Sequence, residues 1–126
     1  MPKIEVSDET YEKIKDQLVE EDSKIVAVVE LGAKVIIRTR SAGVFFGELS
    51  KYKYGETTCI LHDAIRLWYW DGACSLSQLA MEGTKVPDNC KFAVPVKEVI
   101  LNEVIEILAA TNKAIKSIKN TKSWKK

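Results

Sequence analysis

A chain of 126 residues with 46% hydrophobic and 29% charged residues has the size and composition of one globular domain, which excludes fibrous and disordered classes. Nineteen Lys and Arg against eighteen Asp and Glu leave a formal charge of +1, so no whole-molecule field draws the protein to nucleic acid or an anionic membrane. The single histidine, His62, disfavours hydrolase and metalloenzyme chemistry, because His is the commonest general base and metal ligand at neutral pH.

Three scattered cysteines, Cys59, Cys74 and Cys90, fit neither a disulfide framework nor a CxxC zinc or redox motif, and read as reduced thiols. The N-terminus lacks a basic start followed by an apolar run, and no apolar stretch approaches the ~20 residues of a membrane span. The expectation is one domain over residues 1–126, cytoplasmic, with no metal, cofactor or membrane partner. Charge is nonetheless uneven. Up to Glu30 there are nine acids against four lysines, whereas residues 112–126 hold six lysines and no acid. The basic tail, about 113–126, reads as a solvated end, except that Trp124 within it calls for a docking partner in the core or in a neighbouring subunit.

The first expected element is a helix over residues 8–21, with Ser7 as N-cap and Tyr11, Ile14 and Leu18 on one face. Short β-rich runs follow at 24–30, 34–40, 44–49, 57–62 and 65–70, broken at Gly32, residues 41–43, Tyr54-Gly55 and Asp63. Connections this short allow hairpins and not crossover helices, so the pattern predicts an antiparallel β-meander, a partly closed sheet. Asp71-Gly72 marks a turn, Ser75 caps a short helix through Glu82, and Gly83 ends it. Residues 84–95 read as an irregular loop. Residues 99–108 read as one bent or two short strands, with a helix as the competitor, and Thr111 caps a final helix that turns Ala114, Ile115 and Ile118 inward. The fold class is α+β. No phosphate loop, GxSxG elbow or HExxH helix occurs.

Polar and aromatic functionality concentrates between Arg66 and Gly83. On a strand, Arg66, Trp68 and Trp70 share one face, where a guanidinium and two indoles can stack on a base and pair with a phosphate. Core filling by the tryptophans is the plainer alternative. Ser75, Ser77 and Gln78 stand at a helix start, an anion-favouring position, although capping alone explains Ser75. Arg38 and Arg40 alternate with Thr39 and so project together, either toward phosphate or simply into solvent.

The run "RLWYWDGACSLSQLAMEG…PDNCKF", preceded by "VIIRTRSAGVFFGEL" and followed by "EVIEILAAT", resembles the first-described family of phage anti-Thoeris sponges over essentially the whole chain. That resemblance implies a phage anti-defence protein in the cytoplasm of the infected bacterial host. It implies binding and sequestration, without cleavage, of cyclic ADP-ribose isomers and, as in some members of that family, of CBASS cyclic oligonucleotides. It further implies a homo-oligomer, a hexamer built as a trimer of dimers, with pockets shared between subunits. Positions matching the family pattern are Arg66, Trp68, Trp70, Asp71, Gly72, Ser75, Ser77, Gln78 and Asn89. Ala109 stands where the pattern often has proline, a departure that concerns a turn. Sequestration needs no general base, nucleophile or metal, so the resemblance implies a protein that is not an enzyme.

Other readings compete. A helix followed by about five short strands looks like the Sm-like or SH3-like small barrels that bind single-stranded RNA, against which stands the near-zero net charge. A phage structural or assembly protein would use the tryptophans as interface anchors. A phosphodiesterase built on His62 and Asp63 is disfavoured, because no further ligand cluster accompanies them.

Overall fold

The computed structural model describes residues 30–53 and 55–126. The helix expected at 8–21 lies outside the described residues, as does the strand expected at 24–30 apart from Glu30. Within them the fold is α+β, a six-stranded antiparallel sheet that is not closed, with two helices. The strands are β1 (Lys34–Thr39), β2 (Val44–Tyr52), β3 (Cys59–Tyr69), β4 (Lys91–Phe92), β5 (Val96–Leu101) and β6 (Val104–Ala109). The helices are α1 (Leu76–Glu82) and α2 (Asn112–Asn120).

The Val35-Ile36-Ile37 run in β1 is unbroken because both faces of this central strand are covered, and all three side chains are fully buried. Val35 and Ile37 join Phe45, Leu49, Leu61 and Ala64 on one face, while Ile36 joins Phe46, Leu67 and Phe92 on the other. The second face is roofed by the helices, which contribute Leu79, Ala80 and Ile118 to it. The first face gathers side chains from β1, β2, β3, β5 and β6. The ladder runs β4-β3-β2-β1-β6 and β5 also pairs with β3, so β5 and β6 stand on opposite sides of the meander, yet only Asn102 and Glu103 join them. The sheet must therefore curl, and Leu101 and Val104 at that corner complete the inner cluster. Glu103 bends the chain with a positive φ of 57°. The corner is pinned by Val104 N–H to Thr57 O (2.9 Å), Arg40 N–H to Glu103 O (3.0 Å) and Thr58 Oγ1 to Asn102 Oδ1 (3.1 Å).

Two expectations are revised and one open choice is resolved. The runs at 57–62 and 65–70 form one strand, β3, because Asp63 does not break it. Asp is among the residues that tolerate left-handed backbone, and at φ 51° Asp63 sits where the β2–β3 register shifts, while pairing with β5 continues on both sides of it. The expected antiparallel meander stands in β1, β2 and β3, and the later strands add to it, β6 beside β1 and β5 beside β3. The loop read at 84–95 contains a 3-10 turn at Pro87–Asn89 and the two-residue strand β4. Residues 99–108 belong to two strands and not to a helix, since both segments find ladder partners in β3 and β1.

The caps act as the sequence indicates. Ser75 Oγ accepts the Gln78 N–H at 3.1 Å, Gly83 N–H closes α1 on Leu79 O, and Thr111 Oγ1 accepts the Ala114 N–H at 3.1 Å. Thr111 Oγ1 also donates to Met81 O at 2.6 Å, tying α2 to the end of α1. No helix among the described residues is long and apolar enough to cross a membrane.

Candidate functional site

The end of β3 and the turn after it position the residues that the sequence singles out. Asp71 is the hub of that turn: its Oδ1 accepts the Gly72 N–H at 2.7 Å and its Oδ2 accepts Asn89 Nδ2 at 3.1 Å. Its carbonyl accepts Thr84 Oγ1 and, at 3.6 Å, the Cys90 thiol. Gly72 is required here twice over, by its φ of 86° and because a Cβ would lie 2.6 Å from Val86 N. The consequence is that the chain returns along β3. Lys91 pairs with Tyr69 and Phe92 with Leu67, which sets the Lys91 side chain against Trp68.

Trp68 is 59% exposed and stacks on Trp124, itself 48% exposed, with ring centroids 5.2 Å apart and planes 15° from parallel. Lys91 Nζ lies 5.1 Å from the Trp68 centroid and 5.3 Å from that of Trp124, within cation–π range of both. Trp124 arrives from the C-terminus. After Thr121 ends α2, the chain runs beside β4, where Ser123 bridges Phe92 in parallel and Trp124 N–H donates to Phe92 O at 2.8 Å. Two half-exposed indoles capped by an ammonium form an aromatic, cationic platform on the surface.

Arg66, Trp68 and Trp70 do not share one face. Arg66 and Trp68 do, but β3 ends at Tyr69 with a register shift against β4, and Trp70 turns to pack on the cluster beneath the helices. Arg66 lies over the Phe45 ring at 4.4 Å and donates from Nη1 to Ala42 O at 2.6 Å. Ser75 is committed to its cap. Gln78 accepts the Cys74 N–H at 2.7 Å and donates to Glu82 at 3.3 Å, Ser77 is exposed, and Asn89 serves Asp71. Arg38 donates from Nε to Glu106 at 2.9 Å, so it is already paired, while Arg40 is exposed across the buried Thr39. His62 does not join Asp63 but pairs with Glu98 at 3.0 Å.

One residue of the platform escaped the sequence and another was legible only in part. Lys91 gave no local signal, being one of sixteen lysines, and its place follows from the Asp71–Asn89 turn. Trp124 gave the right signal, an aromatic in a lysine-rich end, but its partner is named only by the tertiary structure. Beside it lies an open recess of about 170 Å³ lined by Pro87, Asp88, Cys90, Lys122, Ser123 and Trp124. A larger recess of about 350 Å³ elsewhere is bounded mainly by Leu31, Tyr52, Cys59 and Ile60 with Lys51 and Lys53, and none of the candidate ligand-binding residues borders it. Among the described residues no group of three or more His, Cys, Asp and Glu is placed to hold a metal.

No curated protein and no solved structure matches the chain. The model of a protein family described as a domain of unknown function, DUF6948, matches residues 32–118, from the turn before β1 into α2, and the chain belongs to that family.

Proposed function

We propose that the protein binds nucleotide signals and holds them without converting them, acting as a phage anti-defence sponge for cyclic ADP-ribose isomers and CBASS cyclic oligonucleotides. The observation that carries this reading is the Trp68–Trp124 platform with Lys91 across its edge. An indole offers a stacking face to a base, worth about 1–3 kcal/mol per base, and a nearby ammonium answers a phosphate. Trp68 and Lys91 both fall within the two sequence runs that resemble the sponge family. The reading includes the hexamer that the resemblance implies, with light scattering as its check; a monomer would count against it. Titration calorimetry with a cyclic ADP-ribose isomer is expected to show tight binding, and heating the complex should release the ligand intact. Absence of binding, or recovery of a cleaved product, would refute the proposal.

A second reading, a small barrel that binds single-stranded RNA, is favoured by one observation. The sheet curls so that its two outer strands, β5 and β6, are joined by two residues, as a small barrel requires. It predicts that oligo-U or oligo-A binds with steep salt dependence while cyclic nucleotides do not.

A further inference from the structure

The recess beside Trp124 gives the proposed ligand a second half-site, an assignment that rests on the nucleotide-binding reading. Its walls differ in chemistry from the platform. Lys122 brings an ammonium, Ser123 a hydroxyl and Asp88 a carboxylate, all within one lining that ends on the Trp124 ring. At about 170 Å³, open to solvent, it has room for a phosphate beside the Trp124 indole. A base stacked on the adjoining indole surface sets its sugar and phosphate over these polar walls. We infer that residues 122–124 form the sugar-phosphate half of a nucleotide site, with the base stacked on the indole surface that the Trp68–Trp124 pair leaves exposed, the phosphate paired with Lys122 and a ribose hydroxyl donating to Asp88. This moves the ligand away from the Arg66, Ser75 and Gln78 side chains, each of which makes a hydrogen bond within the fold, and onto the C-terminal segment. That segment is held to β4 by the Ser123 bridge and the Trp124 N–H bond to Phe92 O.

The test uses the full chain with adenosine 5′-monophosphate and adenosine as probes, read by calorimetry and by quenching of tryptophan fluorescence. Lys122 is exposed, so Lys122→Gln leaves folding intact. Loss of one charge-assisted contact at such a partly solvated position is expected to weaken the monophosphate about tenfold and leave adenosine unchanged. Trp68→Ala is expected to weaken both probes. If Lys122→Gln changes monophosphate binding by less than about twofold while Trp68→Ala weakens it, the platform stands and the recess assignment falls. An equal loss for both probes in Lys122→Gln also overturns the assignment. No binding of either probe to the unaltered protein overturns the assignment and counts against the nucleotide reading with it.

Discussion

Gly83 joins the short helix α1 to the rest of the helical layer, and its replacement tests how that layer is held. Its backbone, φ 77° and ψ −160°, lies in a region that is essentially closed to residues with a Cβ, at a cost of about 1–3 kcal/mol. A Cβ at this position would also overlap Ser117 of α2, approaching its Oγ to 2.5 Å, and relieving such overpacking by shifts costs about 1–3 kcal/mol more. Gly83→Ala is therefore expected to lose about 4 kcal/mol, a large part of a typical domain stability of about 5–15 kcal/mol. Ser117→Gly removes the hydroxyl that accepts Thr84 N–H at 2.9 Å and donates to Thr84 O at 3.3 Å, and places glycine within α2. Its expected cost is about 1.5 kcal/mol. The double variant keeps the backbone penalty and the lost hydroxyl but relieves the overlap, so it should lose about 3.5 kcal/mol and not the roughly 5.5 kcal/mol of independent effects, a coupling of about −2 kcal/mol. Urea unfolding of the four proteins, followed by circular dichroism, measures that cycle. Additivity within about 0.5 kcal/mol would show that Gly83 and Ser117 do not meet as described.

Burial pushes the Cys59 thiol from 9.0 up to about 11. Because the folded value is raised, the native state keeps its proton longer than the unfolded chain. This contribution to stability is fully present below pH 9 and is lost as pH rises through 11, by about 3 kcal/mol in all. Cys59→Val should flatten that part of the pH–stability curve; an unchanged slope would refute the assignment. At about pH 8 a thiol reagent is expected to modify exposed Cys74 quickly, and buried Cys59 and Cys90 only on unfolding. Trp70→Ala should cost about 2–3 kcal/mol because Trp70 packs on the core beneath the helices, whereas Trp68→Ala, which removes one surface stack, should cost less than about 1.5 kcal/mol. Reversed costs in urea unfolding would show that the two tryptophans have been given each other's roles.

The run around Asp71 shows why the most conspicuous sequence need not be the binding surface. Asp71, Gly72, Thr84, Asn89 and Cys90 are spent on one another, closing a turn whose product is the placement of Lys91 beside Trp68. Ser75 and Gln78 are likewise consumed by the start of α1. Residues with polar side chains at a turn satisfy backbone groups first, since an unpaired buried donor or acceptor costs about 1–3 kcal/mol. What remains for a ligand is what the turn leaves exposed.

Local chemistry determined much of this protein from the sequence alone. The caps at Ser75 and Thr111, the stop at Gly83, the hairpin of β1 and β2 and the antiparallel pairing that such short connections impose all rest on interactions within a few residues, and all stand among the described residues. The tertiary structure decided three things. Ladder partners made strands of the ambiguous stretch after Pro95, the positive φ of Asp63 let β3 run through an apparent break, and the shift at the end of β3 turned Trp70 inward while Trp68 stayed out. It also decided the platform, because Trp68, Lys91 and Trp124 belong to separate segments that β4 alone brings together. Pattern within a strand fixes which residues alternate, but the face each one finally shows depends on the register of its neighbour, and a single bulge reverses it.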